Sequence, residues 1–308
     1  MAVHAFSAMV IFREPLGDSM RLLVASIPDP ASVNIRDRLL EAADWSEEGE
    51  HLGRPCHRLR DMLMASIDQL HLNLDHVDQA VGHEFGIDID EVVFLSKHRA
   101  ASGKPTLTMH PIGNFGKADY GGKEGTLVPA SPSFLSGLLR ALSTSARGLP
   151  FEVSYEVTHH GPLLDVPTTY VEIGSDETRW GNVDAARAMA EALLNWVPAD
   201  GPIVVGIGGG HYAPRFTEVT LAKRVRFGHM VAKHVLDGRT DGEVLEMVGK
   251  AMLASGTRSA YVHKKSFSRP EARRLSELLE SAGYQVLEGS DMEDLQSLPR
   301  SLSSDSSA

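Results

Sequence analysis

Ionisable side chains gather just past the apolar runs of this chain. His98 follows EVVFLS, His110 closes TLTMH, and His159 with His160 closes FEVSYEVTHH. Glu172 stands near the end of TTYVEIG, His211 follows IVVGIGGG, and His263, Lys264 and Lys265 follow SAYV. Histidine is the usual metal ligand and proton shuttle near neutral pH. A lone histidine after a strand is commonly a hydrogen-bonded core or loop residue, so the repetition is what carries weight. If the strand continues through His159 and His160, their rings point to opposite faces, which leaves one of them a supporting role.

The elements that must position these groups are mixed. Alternating or β-branched apolar runs predict strands at 21–27, 91–96, 106–111, 151–157, 168–173, 203–207, 259–262 and 284–287, with a first strand in MAVHAFSAMVIF. Asp29 with Pro30 opens a helix to about residue 43, and Ser131 with Pro132 opens another that Gly148 stops. A third runs over about 182–196, and the Ser268–Glu271 capping box opens one to Ser281. The polar stretch 44–61 reads as a surface loop, and the glycine-rich stretch 113–125 as a long loop. Strands alternating with helices imply an α/β fold: a layered, mixed or mostly parallel sheet with helices on both faces. In such sheets ligands bind at the carboxyl-end edge of the strands, so the polar groups are expected to converge on one cleft there.

The chain has 308 residues, 30 Lys and Arg against 41 Asp and Glu, and a formal net charge of −11. That balance speaks against a generic nucleic-acid coat protein and leaves room for a local basic patch. The single cysteine, Cys56, excludes an internal disulfide framework and a cysteine-cluster zinc site, and suits a reducing, cytoplasmic setting. No apolar run approaches the ~20 residues of a membrane span, and the N-terminus lacks the basic region of a signal peptide. Residues 1–295 are expected to form one integrated catalytic unit, with lobes at about 1–200 and 201–295. The serine-rich residues 296–308 are expected to be a disordered tail.

GIGGGHYAP (206–214) is not a dinucleotide fingerprint, because position 211 is His, and it is not a Walker loop. Its glycines suit a backbone cradle for an oxyanion or phosphate, or simply a tight turn. GxSxG and HExxH motifs are absent. Lys97, Arg99 and Lys104, Lys117 and Lys123, and Lys264 with Lys265 could form a phosphate-binding rim, or be solvated surface lysines and arginines. Lys223, Arg224 and Arg226 form a second basic run.

The motifs SKHRAASGKPTLTMHPIGNFG (96–116), EVTHHGP (156–162), YVEIGSDETRW (170–180), GIGGGHYAPRFT (206–217) and FGHM (227–230) resemble the archaeal and plant type of D-aminoacyl-tRNA deacylase. The resemblance spans about residues 21–287. It implies a hydrolase that cleaves the ester joining a D-amino acid to the terminal ribose of tRNA, a translation quality-control step. It further implies zinc dependence and a fold like the phosphorylase and peptidyl-tRNA hydrolase group. On that basis His98, His110, His160, Glu172 and His211 are the candidate metal ligands, with His159 in reserve or as general base. Zinc would lower the pKa of bound water to about 7 and polarise the ester carbonyl. A metal-free route would use His159 or His160 as general base, oriented by Glu172. Gly208, Gly209 and Gly210 are the candidate oxyanion donors, Asn114 the candidate orienter of ester or ribose, and Lys104, Lys117 and Lys264 the candidate contacts to the acceptor end. The partner is expected to be D-aminoacyl-tRNA, met by a monomer. Alternatives are a peptidyl-tRNA hydrolase-like or aminopeptidase-like enzyme, and a non-catalytic tRNA- or nucleotide-binding protein.

Overall fold

The computed structural model describes residues 20–295. The strand expected in MAVHAFSAMVIF and the tail expected at 296–308 lie outside the described residues. In chain order, the first half runs β1 (Met20–Ser26), α1 (Pro30–Ala42), β2 (Ser46–His51), β3 (Arg54–Leu59), β4 (Met62–Ile67), α2 (Val77–Phe85), β5 (Ile89–Lys97), β6 (Thr106–Pro111) and α3 (Pro132–Ser145). Then come β7 (Glu152–Tyr155), β8 (Thr168–Gly174), α4 (Glu177–Trp180), α5 (Val183–Asn195), β9 (Ile203–Ile207) and α6 (Pro214–Ala222). The remainder is β10 (Arg226–Val231), α7 (Lys233–Leu236), α8 (Asp241–Ser255), β11 (Ser259–Val262), α9 (Arg269–Ser281) and β12 (Gln285–Leu287).

Eight strands form one sheet in the order β2-β3-β4-β1-β5-β8-β6-β7, and four form a second, β10-β9-β11-β12. The second sheet is parallel throughout. In the first, β4, β1, β5 and β8 run parallel. The fold is the α/β class expected, a mixed and mostly parallel arrangement with helices on both sides. Strands buried on both faces explain the continuous apolar runs. In β1, Leu23 and Ala25 face one core with Ile35 and Leu39 of α1, while Leu22 and Val24 face another with Val77 and Val81 of α2.

Two expectations need correction. Residues 44–61 are not a loop but the β2–β3 edge hairpin. Its Leu52–Gly53 turn has positive φ at both positions (51° and 75°), as a tight hairpin turn requires. β2 is exposed along SEEGE, so it carries no apolar alternation to read. Nor do the strand ends share one edge, because β6 runs antiparallel to β8 and β7 runs parallel to β6. The groups after β6 and β7 therefore reach the centre from the opposite direction to those on β5 and β8.

Caps follow the sequence at two helices. Asp29 accepts from the amides of Ala31 and Ser32, and Ser268 with Glu271 forms the capping box of α9. Ser131 makes no side-chain cap, and α3 ends at Ser145, before Gly148.

Candidate active site

The segment 155–158 sews the two sheets together. The Glu156 amide donates to Met109 O at 3.0 Å, and the Val157 amide to His211 O at 3.0 Å. The Thr158 amide donates to Met230 O at 2.9 Å, and Ala213 returns a bond to Tyr155 O at 2.9 Å. One short run thus fixes its own side chains against β6 of the first sheet and the loop after β9 of the second.

His98 is held separately. The Asp29 carboxylate that caps α1 also accepts from the Lys97 amide at 2.9 Å. The His98 amide donates to Ile173 O, and His98 O accepts from the Trp180 indole at 2.9 Å. Gly174 is needed beside it, since a Cβ there would lie 2.4 Å from Thr106 Oγ1 and 3.0 Å from the His98 ring.

These supports bring six predicted residues together: His98, His110, His159, His160, Glu172 and His211. The histidine rings sit 4.2 Å apart for His110 and His159, 5.1 Å for His110 and His160, and 5.2 Å for His98 and His211. His159 and His160 both join, against the expectation from strand alternation. β7 ends at Tyr155, and His160 takes a left-handed backbone with φ 29°. Non-glycine residues hold such a conformation only where surroundings impose it.

Sequence reasoning missed the residue at the centre. Glu156 is 0% exposed. Its Oε1 lies 3.2 Å from His98 Nδ1, and its Oε2 lies 3.1 Å from His211 Nε2 and 3.4 Å from His159 Nε2. Glu172 Oε2 lies 3.3 Å from His98 Nδ1 and 4.0 Å from His110 Nε2. Tyr212 was also missed; its hydroxyl is 3.0 Å from His98 Nε2. In the sequence, the available signal for Glu156 was its place three residues before His159.

Burial sets the charges. It pushes His110 and His160 well below the usual imidazole range, with neighbouring histidines adding to the effect, and His159 down to about 4. These rings are neutral. Burial raises the Glu172 carboxyl to about 7, against the bond from His98. Burial opposes ionisation of Glu156 as well, but the His211 bond and the charge of His98 outweigh it and lower the group. Burial depresses His98, but its bond to Glu172 and the two carboxylate charges raise it overall.

The donor set fits a metal ion. His110 Nδ1 is 3.1 Å from Pro111 O, and His159 Nδ1 is 2.8 Å from Val157 O. Only a protonated Nδ1 bonds a carbonyl, so in these neutral rings each Nε2 carries a lone pair. A ligating histidine commonly donates its other nitrogen in this way. The His159 lone pair faces a Glu156 oxygen at 3.4 Å, and two acceptors that close need a proton or a cation between them. His110 Nε2 and His160 Nδ1 are buried without a hydrogen-bond partner. His110 with His159 and His160, His98 with Glu156 and His211, and His110 with Glu156 and Glu172 are each close enough to share an ion.

Other predicted residues stand elsewhere. Gly208 donates its amide to Val231 O at 2.8 Å and Gly209 to Ser266 Oγ at 3.0 Å, so those two do not form the expected oxyanion cradle. Gly208 is glycine for space, since a Cβ would lie 2.4 Å from Ser266 Oγ. Gly210 is exposed. Asn114 is buried, and its Nδ2 donates to Gly121 O at 2.9 Å, which pins the 113–125 loop. Lys104 pairs with Glu152, Lys264 with Glu288, and Lys117 is exposed. In the second basic run, Lys223 pairs with Asp294 and Arg224 with Asp200, while Arg226 bonds Gly201 O and Ser133. His263 has Arg215, Glu218 and Lys265 as charged neighbours, none of them in the cluster.

The D-aminoacyl-tRNA deacylase family model matches residues 85–287, which include every residue of this cluster. This chain belongs to the D-aminoacyl-tRNA deacylase family. A deacylase of that name from Archaeoglobus fulgidus is 35% identical over 275 residues, 87% of this chain and 96% of the relative. One from Thermoplasma acidophilum is 38% identical over 73% of this chain and 84% of its own length. One from Methanococcoides burtonii is 36% identical over 89% of this chain, which spans only 58% of that longer relative. A crystal structure of a conserved protein of unknown function, AF0625, superposes with a TM-score of 0.78 at 33% identity, covering 89% of this chain and 98% of that one.

Proposed function

We propose that this chain is a D-aminoacyl-tRNA deacylase, hydrolysing the ester between a D-amino acid and the terminal ribose of tRNA. The observation that carries the reading is the buried Glu156–His98–Glu172 arrangement with His110, His159, His160 and His211 around it, in a chain of this family. Ester hydrolysis needs a water made nucleophilic, a donor for the developing oxyanion and a proton for the leaving ribose oxygen.

The chain's own residues supply these parts. Glu156 Oε2 orients His211 through the 3.1 Å contact, which makes His211 the group that takes the proton of the attacking water and returns one to the ribose oxygen. Its side chain is 44% exposed, so it can reach substrate. His98, raised by the two carboxylates, donates through Nε2 to the Tyr212 oxygen and leaves the Tyr212 hydroxyl proton to turn to the ester carbonyl. His110, His159 and His160 are the residues that would hold a zinc ion, with Glu156 and Glu172 beside them. Zinc there would supply Lewis-acid polarisation and acidify water.

The partner in this reading is the acceptor end of a D-aminoacyl-tRNA, and translation sets the place as the cytoplasm. Among the described residues no helix is long and apolar enough to cross a membrane. Incubating D-aminoacyl-tRNA with the native chain and with Glu156→Gln tests the reading. Release of the D-amino acid by the native chain, and loss of about 100-fold or more in the variant, supports it. No release by the native chain overturns it.

A further inference from the structure

The glycine-rich loop 113–125 carries one large aromatic side chain that the core does not use. Tyr120 is 65% exposed, and among the described residues its hydroxyl makes no hydrogen bond. Its ring centroid nevertheless lies 6.3 Å from the His160 ring, edge-on to it. An exposed tyrosine beside a buried histidine cluster presents a bare aromatic face at the cluster's edge.

The loop holds that face in place. Tyr120 O accepts from the Gly161 amide at 3.3 Å, next to His160. Gly121 follows with φ 88°, and its carbonyl accepts from the buried Asn114 side chain at 2.9 Å. A Cβ at Gly121 would lie 1.9 Å from Leu72 O, and one at Gly122 2.4 Å from Gly161 O. The backbone on the C-terminal side of Tyr120 is therefore clamped between neighbouring main chains. The loop closes again through the Gly125 amide and Gly116 O at 2.9 Å. The backbone that carries the ring is fixed before ligand arrives, so stacking on it has to order only the side-chain torsions of Tyr120.

We infer that Tyr120 is the stacking face for the terminal adenine base of the tRNA, an inference that rests on the deacylase reading of the cluster. The ester to be cut sits on the ribose of that adenosine, so with the ester in the cluster the base falls at the cluster's edge, where the Tyr120 ring stands 6.3 Å from that of His160. The amino acid changes from one charged tRNA to another, whereas the terminal adenosine is shared by all of them. An open aromatic face suits the constant part, because every base offers a π surface and stacking needs no hydrogen-bond code. Asn114 then has a positioning role, acting through Gly121 to hold the ring.

The test combines kinetics with binding of adenosine 5′-monophosphate followed by ligand-observed NMR, using the full chain. Tyr120→Ala should weaken nucleotide binding and raise KM for D-aminoacyl-tRNA by roughly 5- to 150-fold, the range for loss of one base stack. The loss should fall on KM rather than kcat. Tyr120→Phe and Tyr120→Trp should restore binding, since they keep the ring. Asn114→Ala should shift KM in the same direction as Tyr120→Ala. Nucleotide binding equal in native and Tyr120→Ala chains, no binding to the native chain, or failure of Tyr120→Phe would each overturn the inference. A native chain that binds the nucleotide through Tyr120 yet releases no amino acid would instead overturn the deacylase reading.

Discussion

His98 lies between two buried carboxylates, with Nδ1 3.2 Å from Glu156 Oε1 and 3.3 Å from Glu172 Oε2. Two acids side by side in a buried site repel when both ionise. Both carboxylates favour a proton on His98, and that proton offsets the repulsion between them.

Removing the shared cation should therefore cost more than removing one acid. His98→Gln leaves both carboxylates without it and should destabilise the fold by about 3–5 kcal/mol. Adding Glu172→Gln to His98→Gln should recover part of that loss, because one buried charge is then gone. Urea unfolding of the two single variants and the double variant measures this coupling. Strictly additive losses would show that the three groups do not act together.

Neutral imidazoles facing carboxylates predict a metal-dependent enzyme. His110→Ala and His160→Ala should lower bound zinc, measured by elemental analysis, and reduce deacylation by at least about 100-fold. Chelation should abolish activity and added zinc should restore it. Full activity in rigorously metal-free protein would contradict the metal assignment.

Tyr212 separates donor chemistry from folding. Tyr212→Phe keeps the ring and removes the hydroxyl bound to His98. Loss of a donor to a developing oxyanion typically costs ~10²–10³ in kcat, while one side-chain hydrogen bond contributes only about 1 kcal/mol to stability. A kcat within twofold of native would remove Tyr212 from the mechanism.

His229 gives the fold a pH dependence of its own. It is 0% exposed, between Thr158 Oγ1 at 3.0 Å and Val128 O at 2.8 Å. Burial pushes its ring down to about 4 from an ordinary 6.5, against the bond to Val128. The unfolded chain thus binds a proton below pH 6.5 that the folded chain refuses until about pH 4. Its contribution is complete above pH 6.5 and is lost as pH falls towards 4. His229→Gln should be less stable than native at pH 7.5, and the gap should narrow by roughly 2–3 kcal/mol at pH 4.5. A gap that stays constant between those pH values would show that the ring takes a proton without penalty.

The legible part of this protein was what one strand or one loop carries alone. Five histidines and Glu172 were visible because each follows or ends an apolar run. Glu156 was hidden by the same alternation that revealed β7, since FEVSYEV places Glu152, Ser154 and Glu156 on what reads as the wet face. Ser154 and Glu156 are instead buried, because Thr217 of α6 and the 211–213 segment cover that face. Period-two patterning reports the sheet to which a residue belongs, not a second sheet folded over it. Strand direction was hidden likewise: nothing local to TLTMHP says that β6 runs against β8. The glycines at 208 and 209 were visible as a special backbone, but their neighbours Ser266, Phe267 and Val231, which use up the space and the amides, are distant in sequence.

The most direct test of the central claim is the hydrolysis rate of a matched pair, one tRNA charged with the D and with the L form of the same amino acid, under identical conditions. The account predicts rapid release of the D-amino acid and much slower release of the L form. Equal rates on the two, or no release of either, would contradict it.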